Sequence, residues 1–140
     1  MKHVISLGII VSFYLLTLSG CQNNGDIGDL YGQWKIIRIE CEGDASLPGE
    51  YENNIFWSFQ NQTICVTGVW EYYNSLDYGN WRIEDNTFFY SFPDKEFAPP
   101  VILSLPREGK LQIVKLTGSE FILTYHPDLD SSITYYLKKW

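Results

Sequence analysis

Residues 111–125, LQIVKLTGSEFILTY, decide the fold of this chain. Two short apolar runs, 111–116 and 121–125, flank Thr117-Gly118-Ser119-Glu120, whose composition is typical of a tight turn. In the second run the residues at 121, 123 and 125 are large and apolar, and they alternate with Ile122 and Thr124. This period of two is that of a half-buried β-strand. The stretch therefore predicts a β-hairpin.

Outward from this hairpin the same pattern recurs, and no stretch after residue 29 has a sustained helical period. The predicted strands cover residues 30–41, 54–60, 63–73, 78–84, 87–92, 111–116, 121–125 and 133–139. Such regular spacing predicts an all-β fold. An open sheet would leave two exposed edges, so we expect an eight-stranded up-and-down antiparallel β-barrel in which the first strand pairs with the last. The proline-rich segment 93–109 is predicted as either a ninth, edge-like strand or a loop over one end.

The N-terminal residues have the layout of a secretory signal. Lys2 and His3 precede an uncharged apolar run over 4–18, and Leu18-Ser19-Gly20-Cys21 follows as a bacterial lipobox. We therefore expect a signal peptide over 1–20, a lipidated Cys21 with a flexible tether over 21–29, and a barrel domain over 30–140. Membrane attachment would be through this lipid anchor. Gln22 replaces the Asp of an inner-membrane retention signal, which favours the outer membrane of the cell envelope and leaves the leaflet open.

The charge of the chain excludes one class of partner. Its 10 Lys and Arg residues and 17 Asp and Glu residues give a net charge of −7, which argues against a nucleic acid or an anionic membrane surface as the partner. Five carboxylates lie within the segment 40–53, most of them in a predicted loop over 42–53. This segment is either a solvated loop or a lid or partner surface that prefers a cationic group.

Two cysteines, Cys41 and Cys65, remain after Cys21 is assigned to the anchor. A disulfide between them is possible in an oxidising compartment. In the first and third strands of a meander they would lie about 9.6 Å apart, beyond the ~7 Å limit for a bridge. A disulfide would therefore require Cys41 to lie past the end of its strand, and both alternatives stay open.

Aromatic side chains are predicted to point into the barrel. The candidate ligand-binding residues among them are Trp57, Phe59, Trp70, Tyr72, Trp81, Tyr90 and Tyr125. Phe121 is predicted to point inward as well. They would either line an apolar pocket or fill the core. Arg38 is in phase with Trp34 and Ile36 and would also point inward, to a carboxylate or a ligand anion. A bulge in the strand would instead turn Arg38 out to solvent.

Candidate catalytic and metal-binding residues are few. His126 is the only histidine after the signal, and it lies with Asp128 and Asp130 in the turn HPDLDSS. This turn is either a solvated loop or a Ca²⁺ or acid–base site. The sequence contains no P-loop, zinc spacing, nucleophile elbow or dinucleotide fingerprint. We therefore expect no catalytic residues, no metal site and no cofactor.

Several of these residues together resemble the lipocalin family. Gly32-Gln33-Trp34 at the first strand is similar to the G-x-W signature, and the later runs GNWRIEDNTFFYSF, LQIVKLTGSEFILTY and ITYYLKKW are similar to small bacterial lipocalin-like lipoproteins. The resemblance implies a calyx with Trp34 at its closed base and the 42–53 loop over its open end. The segment HPDLDSS departs from the family, since it is too short and turn-rich for the helix that precedes the last lipocalin strand.

The sequence as a whole predicts a lipid-anchored, non-enzymatic protein that holds a small apolar or amphipathic molecule at the cell envelope. The alternative is an interaction module that docks on an envelope complex or inhibits an exported enzyme.

Overall fold

The protein is a closed antiparallel β-barrel, described here from a computed structural model for residues 28–47, 54–69, 74–93 and 104–140. A 3₁₀ turn, Gly28–Leu30, precedes the strands. The strands are β1 (Gly32–Glu42), β2 (Ile55–Gln60), β3 (Thr63–Val69), β4 (Asn74–Glu84), β5 (Thr87–Ser91), β6 (Glu108–Leu116), β7 (Glu120–Tyr125) and β8 (Ser132–Lys139). Each pairs with the next, and β1 pairs with β8 to close the barrel. The predicted eight-stranded up-and-down fold is confirmed.

The barrel has two distinct ends because consecutive strands alternate in direction. The base is the end where β1 begins and β8 ends, and it holds the turns at 61–62, 85–86 and 117–119. The mouth is the opposite end, where β1 ends and β8 begins. At the base, Asp85 and Asn86 have positive φ angles of 44° and 64°, which is the hairpin geometry that Asp and Asn adopt at low cost.

Alternation along the strands separates the core from the outer surface. In β2 the residues at 55, 57 and 59 are buried between more exposed neighbours, and β8 shows the same period. The expected pairing of the first strand with the last is confirmed, since Trp34 of β1 lies opposite Lys139 of β8. Closure thus gives every strand two partners and one inward face.

Of the two orientations left open for Arg38, the structure has the outward one with a bulge in the strand, so the inward orientation and the ligand-binding role that depends on it are wrong. The register of β1 against β8 shifts between Ile36 and Arg38, so that Ile37 is an extra residue in the strand. This β-bulge reverses the alternation and turns Arg38 outward. The Arg38 guanidinium lies 3.8 Å from the centre of the Tyr136 ring, and its side chain is 56% exposed.

The cysteines Cys41 and Cys65 are both free. Cys41 lies within β1 rather than past its end, and β2 separates β1 from β3. Burial raises the pKa of the Cys65 thiol, which contacts the Thr67 hydroxyl at 3.8 Å. The structure therefore corresponds to the alternative without a disulfide.

The segment 93–109 contributes no separate strand in the part that the structure describes. Residues 104–107 lead directly into β6, and Leu105 is buried against the core. The predicted signal peptide and most of the tether lie outside the described residues, as do Trp70, Tyr72, residues 48–53 and residues 94–103.

Candidate functional site

The base of the barrel is sealed by Trp34 and the 3₁₀ turn. The Trp34 indole Nε1 donates a hydrogen bond to the Leu30 carbonyl oxygen at 2.9 Å, and both side chains are fully buried. The Lys139 ammonium lies 5.1 Å from the centre of the Trp34 ring and donates to the Asp29 carbonyl oxygen at 2.8 Å. This arrangement places Trp34 at a closed base, as the lipocalin resemblance implies.

The interior above the base is a continuous cluster of aromatic rings centred on Phe88. The Phe88 ring lies within 6.3 Å, between ring centres, of five others: Trp57, Phe59, Trp81, Tyr90 and Phe121. Phe88, Phe59 and Phe121 have no exposed surface. The middle of the barrel is therefore filled by side chains, which corresponds to the filled-core alternative for this level of the barrel.

Three polar atoms inside the barrel have no hydrogen-bond partner among the described residues. They are the Trp57 Nε1, the Trp81 Nε1 and the Tyr90 hydroxyl. All three rings stack against Phe88, and Trp81 and Tyr90 are direct neighbours across β4 and β5. A buried donor without an acceptor costs about 1–3 kcal/mol, so three around one ring are a functional signal. All three residues are among the candidate ligand-binding residues.

Tyr90 occupies a position that depends on a glycine. Gly109 lies opposite Tyr90 in the register of β5 and β6. A Cβ atom on Gly109 would come within 2.9 Å of the Tyr90 hydroxyl. The absence of a side chain at 109 therefore leaves the space that this hydroxyl occupies.

Two further tyrosines lie on the interior face near Tyr90. Burial raises the pKa of Tyr90, and the neighbouring Tyr125 raises it further. Burial also raises the pKa of Tyr135, with smaller contributions from Tyr90, Cys41 and Tyr125. Tyr125 lies at the mouth end of β7 and is only partly buried. The raised pKa keeps the Tyr90 and Tyr135 hydroxyls protonated at neutral pH, so both can donate hydrogen bonds in an apolar interior.

The structure thus brings some of the candidate ligand-binding residues together inside the barrel. Trp57, Phe59, Trp81, Tyr90, Phe121 and Tyr125 all face the interior, whereas Arg38 lies on the outer surface. Sequence reasoning missed Phe88, Tyr135 and Gly109. Phe88 shares its phase with Tyr90, and Tyr135 shares its phase with Ile133 and Leu137, so strand alternation could have found both.

The β7–β8 loop has the geometry of a solvated turn. The Asp130 backbone N–H donates to the Asp128 carboxylate at 3.0 Å, and His126, Asp128 and Asp130 are all exposed. Across the described ranges, no three His, Cys, Asp or Glu side chains are grouped so that they could hold a metal ion.

A pocket of about 530 Å³ lies beside this loop, and Gly109 and Tyr125 are among its lining residues. It is bordered by the turn at Asp85 and Asn86, by Lys110 and Gln112 of β6, and by His126. Its lining mixes charges of both signs with amides and hydroxyls, so it defines no single ligand chemistry.

The closed meander, the sealed base and the buried Trp34 define the class of the fold, a lipocalin-like barrel. The model of the lipocalin-like domain family matches residues 16–139, and the chain belongs to this family. A comparison with curated proteins finds no similar sequence.

Solved structures share the fold at low sequence identity. A lipocalin-like protein from Bacteroides uniformis superposes with a TM-score of 0.63 at 17% identity, over 81% of this chain and 100% of that one. An uncharacterized protein from Bacteroides eggerthii gives 0.58 at 13% identity, over 79% and 99%. Insecticyanin from the tobacco hornworm Manduca sexta gives 0.52 at 15% identity, over 84% of this chain and 65% of that one.

Among the described residues there is no helix of the length and apolar character needed to cross a membrane.

Proposed function

We propose that this protein binds a small, flat, largely apolar molecule that carries a hydrogen-bond acceptor, and that it does so without catalysis. The observation that carries the proposal is the group of three unpartnered donors on Trp57, Trp81 and Tyr90 around Phe88. A carbonyl or similar oxygen would satisfy such donors. Because the level of Phe88 is filled, the apolar body would enter from the mouth side, where Tyr125 is only partly buried, and would contact the rings of Trp81 and Tyr90. The family's barrel fold is compatible with such a ligand.

The proposal is tested first by native mass spectrometry of the protein purified from its own cells. We expect a co-purified small molecule with an apolar body and an acceptor oxygen. If the protein carries no such molecule and binds neither of the two probes described next, the proposal is overturned.

Two nearly isosteric probes test the role of the donors. 2-Acetylnaphthalene and 2-ethylnaphthalene differ in the carbonyl oxygen, and we expect the ketone to bind about ten-fold more tightly because one buried hydrogen bond is worth ~1.4 kcal/mol. Tyr90→Phe should reduce this preference while leaving the affinity for 2-ethylnaphthalene unchanged. Tyr31→Phe, at an exposed position, is the control and should change neither affinity. An equal preference in the parent protein and in Tyr90→Phe would exclude Tyr90 from the site.

We further propose that the chain is an envelope lipoprotein attached through Cys21, with the outer membrane as its location. The support is the lipobox Leu18-Ser19-Gly20-Cys21 after an apolar run. Intact-mass analysis of the full chain expressed in a bacterium with two membranes should give a protein that begins at residue 21 and carries acyl chains. Cys21→Ser should abolish both the cleavage and the added mass. An unmodified chain that still begins at Met1 would contradict the proposal.

A second candidate function, docking on another protein, is favoured by exposed side chains on the outer wall. Leu76 and Tyr78 of β4 are 55% and 58% exposed, and Val69 of the adjacent β3 is also exposed. Together with the filled middle of the barrel, they suit a partner surface. Affinity capture with the parent protein and with Leu76→Glu/Tyr78→Glu tests this function. Docking is supported if the parent protein captures the same partner in repeated experiments and the double variant does not.

A further inference from the structure

The base of the barrel carries exposed aromatic rings beside lysines. Trp140 is 73% exposed, and its ring packs edge-on against Phe56 with 5.6 Å between ring centres. The Lys35 ammonium lies 5.0 Å from the centre of the Trp140 ring. Tyr31, which precedes β1, is 52% exposed at the same end. We call Tyr31, Lys35, Phe56, Lys138 and Trp140 the basal patch.

Trp140 is held by its backbone as well as by the contact of its ring with Phe56. Its backbone N–H donates to the Gln33 carbonyl oxygen at 2.9 Å, which continues the pairing of β8 with β1 past Lys139. A large apolar side chain fixed in an exposed position is a typical feature of an interaction surface rather than of a frayed strand end.

Two positive charges of the basal patch lie side by side. Lys35 and Lys138 are direct partners in the register of β1 and β8, and like charges in this arrangement repel each other. Within the described part of the chain, the ion pairs are Arg38–Glu40, Arg82–Glu84 and Lys115–Glu120, so neither Lys35 nor Lys138 belongs to one. The base also carries the carboxylates of Asp29, Glu84, Asp85 and Glu120. Glu120 is paired with Lys115 and also lies opposite Lys138 in the register of β7 and β8, whereas the register neighbours of Lys35 are Phe56 and Lys138. An external anion beside Lys35 would relieve the repulsion between the two lysines.

The start of the described chain connects this patch to the proposed anchor. Gly28 begins the 3₁₀ turn at the base. At about 3.3–3.6 Å per residue, the stretch from Cys21 to Gly28 reaches at most ~25 Å. A lipid on Cys21 would therefore keep the base, and not the mouth, near the bilayer.

We propose that the basal patch docks on an anionic phospholipid surface. The inference rests on the proposed anchor at Cys21. Trp140 and Tyr31 would lie at the headgroup level, where amphipathic aromatic rings are favoured, and Lys35 and Lys138 would contact lipid phosphates. The net charge of the chain argues against an anionic membrane for the molecule as a whole, but exposed carboxylates such as Glu42, Asp44 and Asp128 lie at the mouth end, away from the bilayer. The mouth then opens to the aqueous side, from which a ligand enters.

The test uses the lipidated full chain in vesicles of phosphatidylcholine with phosphatidylglycerol. A benzophenone side chain replaces Trp140 in one sample and Leu129, a fully exposed apolar residue of the mouth loop, in the matched control. We expect phospholipid adducts from position 140 and few from position 129. Lys35→Glu/Lys138→Glu and pure phosphatidylcholine vesicles should each lower the yield at 140 at least about five-fold. Equal yields from the two positions, or adducts from 129 alone, would overturn the docking proposal.

Failure of the anchor and failure of the patch are distinguished by the intact mass of the same samples. If Cys21 carries lipid and position 140 gives no adduct, the basal patch is excluded and the anchor stands. If the chain is unlipidated and position 140 still forms adducts with added anionic vesicles, the anchor is excluded and the patch stands.

Discussion

Gly79 of β4 lies against the backbone and a ring of the adjacent segment, where no side chain fits. A Cβ atom there would lie 2.6 Å from the Ser91 carbonyl oxygen and 2.7 Å from the Phe92 ring. We expect Gly79→Ala to lower the free energy of unfolding by about 1–3 kcal/mol, because backbone and a buried ring must both move. Urea denaturation measures the change.

Gly118 provides the control for this substitution. A Cβ atom on Gly118 would meet only the Asp29 carboxylate at 3.8 Å, an ordinary contact. Gly118→Ala should therefore change the free energy of unfolding by less than about 0.5 kcal/mol. An equal loss in the two variants would mean that crowding at Gly79 is not the cause.

Tyr90 couples the stability of the barrel to alkaline pH. Burial raises its pKa, so above about pH 10 the unfolded chain loses this phenol proton while the folded protein keeps it. The unfolded state then binds fewer protons, and the free energy of unfolding falls as pH rises. The contribution of the protonated Tyr90 phenol to the free energy of unfolding is therefore fully present below about pH 10. Burial raises the pKa of Tyr135 as well, so Tyr135 adds to the same loss of stability at alkaline pH.

The variant Tyr90→Phe separates the contribution of Tyr90 to the alkaline loss of stability from that of the other ionisable groups. We expect the variant to reduce the alkaline loss by about 1.4 kcal/mol per pH unit, the value for one proton. At neutral pH its stability should be unchanged or raised, because the deleted hydroxyl has no partner among the described residues. Urea denaturation between about pH 7 and pH 12 measures both effects, and an alkaline slope identical to that of the parent protein would contradict the assignment.

Individual site residues could be predicted where alternation was regular. Trp57, Phe59 and Tyr90 face the interior as their phase indicates. Gly109 could not be found, because its importance depends on the Tyr90 hydroxyl beside it, a contact across two strands. Local sequence carries the period of a strand but not the identity of the cross-strand neighbour.

At the scale of strands, β1 shows why local patterns have a limit. One extra residue, Ile37, moves each later side chain of β1 to the opposite face of the sheet, because side chains alternate between the two faces with a period of two. The strand itself was predicted, and the bulge was an open alternative. The bulge is a feature of the register between β1 and β8, the first and last strands, so the sequence of β1 alone does not show it.

The bulge leads to a prediction for Arg38. Its side chain is 56% exposed, its guanidinium is 2.9 Å from the Glu40 carboxylate, and Tyr136 lies beneath it. Exposed pairs of this kind contribute about 0–1 kcal/mol. We expect Arg38→Ala to lower stability by no more than that and to leave the affinity for 2-acetylnaphthalene unchanged. A loss of affinity comparable to that in Tyr90→Phe would place Arg38 at the ligand after all.

At the scale of the whole molecule, closure of the barrel could be predicted because an open sheet of eight strands exposes two edges. The degree of filling could not, since it depends on how rings from several strands meet in the interior. Phe88 illustrates this point: its phase with Tyr90 places it on the inner face of β5, but the local sequence TFFYS does not show that rings from β2, β4 and β7 meet on it.

Phe88 and Phe89 provide a matched pair that tests the filled interior. Phe88 has no exposed surface and contacts five aromatic rings, whereas Phe89 faces outward, with the Arg82 guanidinium 4.2 Å from its ring centre. We expect Phe88→Ala to cost about 3–5 kcal/mol, because it removes a buried ring and leaves a cavity that surrounding rings close only in part. Phe89→Ala should cost about 1 kcal/mol, mainly from the lost contact with Arg82.

The same pair of variants shows whether one connected cluster supports both the fold and the site. Since Trp57, Trp81 and Tyr90 all stack on Phe88, its removal should loosen all three donors together. We therefore expect Phe88→Ala, while still folded, to lose the preference for 2-acetylnaphthalene over 2-ethylnaphthalene, and Phe89→Ala to keep it. Urea denaturation and probe titration at the same temperature measure the two effects. If Phe88→Ala kept the preference at full strength, the three donors would be positioned independently of Phe88.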